Sequence, residues 1–594
     1  MCTPVHLRFS LLLIALSCSH VSQAARDDAA CPETAEIAFW TSPTNPLPGE
    51  ALKIMAVMTD GPAESLAVVD AEGNSSLVDT TTRGGPPWSL TGELIPARAG
   101  QYQIDLKRAG ETIACQRVGI GLGAAVSGAT SGRGWTRPVE AFYSAWIEKL
   151  FDGPASESLG FKSLEPVLRD PDRNFLHNHL GLNEDSRLPA TPDCADLPYF
   201  LRTYFAWKIG LPVSFRPCDR GTASRPPRCG SATVDERFTR GKVPAGSFTS
   251  LMRQIADAVH SGSARTGLTD ESADFYPVPL NRASLWPGTV YADPYGHILI
   301  TAKWIPQGSA RSGMLLAVDA QPDNSVARKR FWEGNFLFAN TAGAGPGFKA
   351  FRPLIGDEGR TRLPSNDWLA VKAPVAAYSE EQDALSPEDF YATLGKQINP
   401  RGQAPEEAYD AMLDALVEQL ETRVGAVENG EDYLRKHRGT VIPMPSGAAI
   451  FETLGPWEDY ATPSRDMRLL IALKVISRLP EQIVRYPELY TLRGRSAAEA
   501  RDDIESLHER SIRERRFSYT RSDGSPWELT VADMFERRGE LEMGYNPNEC
   551  VEARWGAKPD TPEYETCQRH APAEQKARMT QYRSWFQKTQ RPTR

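Results

Sequence analysis

The sequence predicts a multidomain α+β protein: an N-terminal β-sandwich, a mixed α+β middle section and a mainly helical C-terminal region. Three observations carry this reading. Short runs with period-two alternation, broken by Gly, Asn and Pro, fill the N-terminal part. Helical and strand periodicities then alternate as far as residue 370. Beyond that point apolar residues recur at helical spacing, as in Ala408, Met412, Ala415, Leu416 and Leu420. A chain of 594 residues holds about three to five domains at roughly 100–200 residues each. Its composition, 24% charged and 41% hydrophobic, is that of a globular protein and excludes wholesale disorder or a collagen-like fibre. A net charge of −9 argues against nucleic acid as the main partner.

Residues 1–24 read as a secretory signal peptide. Arg8 supplies a weak basic start, residues 9–16 a short apolar run, and Ser22-Gln23-Ala24 a small-residue cleavage site. An uncleaved anchor and a lipid-modified Cys18 stay open as alternatives. No later segment approaches the ~18 uncharged apolar residues of a membrane span, so no integral membrane segment is expected after cleavage. The expected location is outside the cytoplasm, with the periplasm favoured over the extracellular medium.

Residues 25–120 form the expected sandwich, where Tyr102, Ile104 and Leu106 alternate with polar neighbours. Residues 121–134, rich in Gly, Ala and Ser, read as a flexible linker. The α+β core spans 135–370. It is expected to hold helices over 138–151, 201–209 and 248–260, strands over 289–292, 298–305 and 314–319, and a mobile loop over 341–347. Residues 371–594 form the helical region, with Ser464 as an N-cap and a solvated charged helix over 499–516. No repeat of fixed period is apparent.

Nine cysteines occur, and the signal peptide takes Cys2 and Cys18. In an exported chain the rest tend to pair, and position favours Cys31–Cys115, Cys218–Cys229 and Cys550–Cys567. Cys194 is left over: intermolecular, inert and buried, or reactive. It precedes a helix, and a helix N-terminus favours the thiolate. Pro198 implies that this helix starts late. A nucleophilic thiol needs a base held by a third polar group. His297 opens an apolar strand after a turn, and Asp319 ends the next strand. A hairpin centred on Gly308 sets His297 directly opposite Asp319, within reach of an imidazole–carboxylate hydrogen bond. Gln321, on the same strand face, and Asp293 are rival orienting groups.

The order Cys…His…Asp resembles the bacterial transglutaminase-like family. The resemblance rests on Asp193-Cys194-Ala195-Asp196 before a helix, Gly210-Leu211-Pro212 after it, and Val318-Asp319-Ala320 on the strand after His297. Trp286-Pro287-Gly288-Thr289 followed by Gly296-His297 is similar to the Pro-Gly-Asp…Gly-His pattern of NlpC-type cell-wall endopeptidases. Both families belong to the papain-like superfamily, and the resemblance covers roughly residues 135–340. It implies a papain-like core with Cys194 as nucleophile, His297 as proton shuttle and Asp319 as its orienting group. The implied activity is hydrolysis or acyl transfer at amide bonds of peptide or peptidoglycan stems, without metal or organic cofactor. The Cys194 N–H would be one oxyanion donor. Trp135 and Trp286 could stack on substrate if exposed near the cleft, although core packing is the commoner role of a tryptophan.

Other readings compete. A non-catalytic envelope scaffold with a degenerate core is the second function class. His177-Asn178-His179 with Glu184 or Asp185 could seed a metal site, and adjacent Glu458 and Asp459 could suggest glycosidase acids. The glycines of 119–123 lack a phosphate-loop Lys-Ser/Thr pair.

Overall fold

The computed structural model describes residues 34–122, 134–155, 157, 159–309, 311–321, 323–357, 360–453 and 455–592. The expected signal peptide, Cys18, Cys31 and most of the linker lie outside the described residues. The fold is mixed, 36% helix and 22% strand, with several antiparallel sheets.

The N-terminal part is two four-stranded antiparallel sheets packed face to face. Its strands are β1 (Ile37–Ser42), β2 (Leu52–Met58), β3 (Ser65–Val69), β4 (Ser75–Val78), β5 (Thr80–Gly84), β6 (Trp88–Leu94), β7 (Gly100–Arg108) and β8 (Glu111–Ile120). The orders are β1-β2-β6-β5 and β4-β3-β7-β8. Tyr102, Ile104 and Leu106 of β7 point inward with Ile54, Ala56 and Met58 of β2. The other face of β2 is also covered: Met55 and Val57 join the core of the next section. This explains why β2 is apolar without alternation. Trp40 stacks on Phe142 across the same junction, with centroids 4.3 Å apart. Cys115, on β8, is disulfide-bonded.

The middle section contains α1 (Arg137–Leu150), β9 (Leu159–Phe161), α2 (Glu165–Arg169), α3 (Asp196–Ile209), β10 (Val213–Phe215), β11 (Thr233–Asp235), α4 (Ala245–Ala258) and β12 (Phe275–Pro277). After these come β13 (Val290–Ala292), β14 (Ile298–Ile305), β15 (Met314–Ala320), β16 (Val326–Arg330), β17 (Gly347–Phe351), β18 (Ile355–Asp357) and β19 (Arg360–Arg362). Seven strands form one antiparallel sheet in the order β12-β17-β13-β14-β15-β16-β9. Ile298, Ile300, Ala302, Val318, Ala320 and Val326 face the core shared with α1 and α3. Leu299, Leu315 and Ala317 face the opposite side, with Tyr291, Phe331 and Phe348. Buried on both faces, these strands read as continuous apolar runs, which is why their positions were legible.

The C-terminal region contains α5 (Asn366–Lys372), α6 (Pro387–Ile398), α7 (Pro405–Lys436), α8 (Pro456–Tyr460), α9 (Pro463–Arg485) and α10 (Ala497–Glu514). The hairpin β20 (Arg516–Thr520) and β21 (Pro526–Thr530) follows, then α11 (Val531–Glu536), α12 (Arg538–Leu541), α13 (Val551–Arg554) and α14 (Ala573–Gln587). Helices α7 and α9 are tied by a buried fork: Arg423 Nε and Nη2 donate to the two oxygens of Asp466 at 2.8 and 2.9 Å. Cys550 and Cys567 are bonded, as are Cys218 and Cys229. No helix among the described residues is long and apolar enough to cross a membrane.

Several expectations are corrected. Helix α3 starts at Asp196, ahead of Pro198 rather than after it. Pro198 sits in the first turn, where a missing N–H breaks no intrahelical bond. Helix α9 begins at Pro463 with Thr462 before it, not at a Ser464 cap, because Pro is pre-organised for the first helical position. The loop expected over 341–347 is a loop, closed by a Thr341–Ala344 bridge, and its Gly345 N–H donates to Arg265 O at 3.0 Å. Trp135 and Trp286 are 3% and 2% exposed, so they are packing residues and not a stacking platform. Arg202 lies 3.1 Å over the Trp135 ring, and the Trp135 indole N–H donates to Pro212 O.

Candidate functional site

Helix α3 carries Cys194 on its approach. Asp193 caps the first turn: its Oδ1 accepts the N–H groups of Ala195 and Asp196 at 2.8 and 2.9 Å. The turn after the helix follows from Gly210, at φ +78°, which only Gly adopts cheaply; Pro212 then prevents continuation. Cys194 is the free cysteine among the described residues.

His297 is delivered by the tight turn from β13 to β14. Asp293 builds this turn: its N–H donates to His297 O at 2.9 Å, and its Oδ1 accepts the Tyr295 N–H at 2.7 Å. Asp293 therefore shapes the loop and does not orient the imidazole. That role belongs to Asp319, whose Oδ2 lies 2.8 Å from His297 Nε2. The register differs from the expected one. Ile300 pairs with Val318 and Thr301 with Ala317, then a bulge at Ala302 shifts the ladder to Lys303–Leu316. Extended back, this pairing sets Gln321 opposite His297. Asp319 sits diagonally, on the same face, still within side-chain reach.

Asp319 Oδ2 also accepts from Gln321 Nε2 at 2.8 Å and Lys329 Nζ at 2.9 Å. Gln321 thus supports the orienting group and does not replace it. Lys329 comes from β16, two residues along from Ala327, which faces Asp319 directly. Burial opposes the Asp319 charge, yet Lys329 and His297 hold this carboxyl well below its usual range. Burial, then the charge of Arg468, pushes His297 below its ordinary value. The imidazole is therefore neutral near pH 7. An ionised Asp319 only accepts, so Nε2 carries the proton and Nδ1 is the basic nitrogen.

The thiol departs from expectation. Burial, then the charge of Asp193, pushes Cys194 up to about 12, although the Ile298 N–H facing the sulfur pulls the other way. The expected thiolate-favouring helix terminus is answered by Asp193, whose carboxylate occupies the very N–H groups that would have stabilised the anion. Asp319 and Arg468 also act on the thiol, so Cys194 lies beside the strand end that carries His297. No hydrogen bond joins the sulfur to His297 among the described residues. The sulfur meets the Ile298 backbone, while the imidazole lines a cleft on the sheet face turned from α3.

That cleft encloses a cavity of about 90 Å³. Its floor is His297, Asp319 and Lys329 from the sheet; Glu418 and Gln419 from α7 and Arg465 and Arg468 from α9 close it. The His297 ring lies parallel to Phe336, with centroids 6.3 Å apart. The α7 and α9 residues escaped the sequence reading. Two arginines three apart on a helix were the available signal, and they look like any solvated face.

The other candidates have structural roles. His179 Nδ1 lies 3.0 Å from Ser42 Oγ, and Glu184 and Asp185 both engage Lys208 Nζ; that grouping is a buried ion-pair network. Glu458 Oε2 accepts the Thr453 N–H at 2.8 Å, whereas Asp459 is exposed, so the adjacent acids diverge. Glu549, Cys550, Cys567 and His570 cluster closely, but the two sulfurs are joined to each other. The chain matches no family model, no curated protein and no solved structure.

Proposed function

We propose that the protein is an exported cysteine-dependent hydrolase or acyl-transferase, built on a papain-like core and acting on amide bonds of peptide or peptidoglycan stems in the periplasm. The observation that carries this reading is the His297 Nε2–Asp319 Oδ2 bond of 2.8 Å at a strand end whose next N–H faces the free cysteine. The disulfides support an oxidising compartment.

The chemistry starts from a neutral pair. His297 Nδ1 takes the thiol proton as sulfur bonds to the carbonyl carbon and the C=O π pair moves to oxygen. Asp319 stabilises the imidazolium. The Cys194 N–H has no acceptor among the described residues and is free to meet the oxyanion. Collapse expels the amine, which takes the proton from His297. Water or a second amine then attacks the thioester. Because no hydrogen bond joins thiol and imidazole at rest among the described residues, the two must approach when substrate binds; hydrogen bonds of unliganded sites often tighten only on binding.

A non-catalytic scaffold is the second reading, favoured by the raised thiol and the missing Cys–His bond. Labelling with a neutral thiol electrophile tests between them. Catalysis predicts alkylation of Cys194 that slows in His297→Ala. A rate indifferent to His297 supports the scaffold.

A further inference from the structure

We propose that the cleft over His297 is a carboxylate-binding subsite, in which Arg465 and Arg468 of α9 hold an anionic group of the substrate beside the scissile amide. This rests on the proposed thiol chemistry for its purpose, although the anion site stands on its own geometry. Arg468 makes no hydrogen bond among the described residues; its nearest carboxylate oxygen is Asp293 Oδ2, at 4.0 Å, and its Nε is buried without a partner. Among the described residues Arg465 donates one hydrogen bond, to Gln321 Oε1 at 3.3 Å, and has no ion-pair partner. Half-buried guanidiniums with their donors unspent are uncommon, because each unmet donor costs desolvation free energy. The two lie three residues apart on α9, which sets them on one helix face, and both line the cleft.

The charges of the cleft agree. Lys329 is spoken for by Asp319 at 2.9 Å. The one remaining acid, Glu418, is pushed up by burial, with Arg330 and Lys329 pulling it the other way. Arg465 is thus left without an ion pair among the described residues, and Arg468 has only the 4.0 Å approach to Asp293. A planar guanidinium matches a carboxylate in bidentate fashion. An anion seated there also offsets the Arg468 charge that, after burial, lowers His297, so its arrival makes the base stronger when substrate is present. Selection for an acidic residue next to the cleaved amide follows.

The test uses the whole exported chain as Cys194→Ala, titrated calorimetrically at low salt with glutarate and, separately, with glutaramide. Glutarate should bind and the neutral diamide should not. Arg465→Gln/Arg468→Gln should lose about tenfold or more in affinity, with Arg468→Lys retaining part. Glutarate should also shift the His297 imidazole resonances of the otherwise unaltered protein, a readout that survives if the double variant fails to fold. Equal binding of the diamide, undiminished affinity in a folded double variant, or unmoved His297 resonances would overturn the subsite. Loss of the thiol reading would leave glutarate binding intact. Conversely, a Cys194-dependent product without glutarate binding would remove only the subsite.

Discussion

Replacing Asp319 by Asn probes how the site handles charge. The shapes match, and an Asn oxygen can still accept the His297 Nε2–H, so the change is chiefly electrostatic. The reacting imidazole becomes positive 2.8 Å from a carboxylate oxygen. Two unit charges about 4 Å apart attract by about 4 kcal/mol at an effective dielectric near 20. Lys329 sits on the same oxygen at 2.9 Å and opposes the imidazolium. If it offsets about half, a loss of about 2 kcal/mol remains, or roughly thirtyfold in rate at 1.36 kcal/mol per tenfold. Lys329→Met should act oppositely, raising the rate several-fold by leaving Asp319 to the imidazolium alone. The assay is the rate of iodoacetamide addition to Cys194 at pH 7, read by peptide mass spectrometry. Asp319→Asn reacting within about twofold of wild type, well inside that roughly thirtyfold expectation, or Lys329→Met reacting more slowly, would refute the electrostatic reasoning.

Further outcomes follow from the same contacts. Adding Asp319→Asn to His297→Ala should cost little beyond His297→Ala alone, since groups acting as a unit are non-additive; additive losses would separate their roles. Non-reduced peptide mapping should recover Cys218–Cys229 and Cys550–Cys567 as pairs and Cys194 as the alkylated residue. Asp466→Ala should destabilise the C-terminal region by about 3–5 kcal/mol, because it strands a buried Arg423; both side chains are 1% exposed, and urea unfolding measures the loss. His179 is pulled down from 6.5 to about 3 by burial, so the unfolded chain binds the proton first. Its stabilising contribution is whole above pH 6.5 and is lost as pH falls toward 3. The stability advantage of wild type over His179→Gln should therefore shrink by about 3 kcal/mol between pH 7 and pH 4. A constant difference across that range contradicts a buried neutral His179.

The sequence made the strands of the central sheet legible because both of their faces are buried, leaving continuous apolar runs at 298–305 and 314–320. His297 and Asp319 were found through the same pattern: polar residues at strand ends otherwise made of Ile, Leu and Val. Their exact register was not legible, because the bulge at Ala302 shifts the ladder and bulges leave little trace in a sequence. The expected thiolate failed for a different reason. A helix terminus was read as an open dipole, but Asp193, one residue before the thiol, is the cap itself and brings its charge with it. Trp135 and Trp286 could not be told from exposed aromatics, since burial depends on Arg202, Pro212 and other partners distant in the chain. The cleft arginines stayed hidden because the sheet and α9 meet only in three dimensions.

The central claim, Cys194-dependent chemistry on an amide, is tested most directly by product analysis. Wild type and Cys194→Ala are incubated with purified sacculi and, separately, with unfolded protein plus a primary amine, and the products are identified by mass spectrometry. The account predicts new stem-peptide fragments, or amine incorporated into protein, that vanish in Cys194→Ala. Identical products from the two proteins, or none from either, would contradict it and leave the scaffold reading.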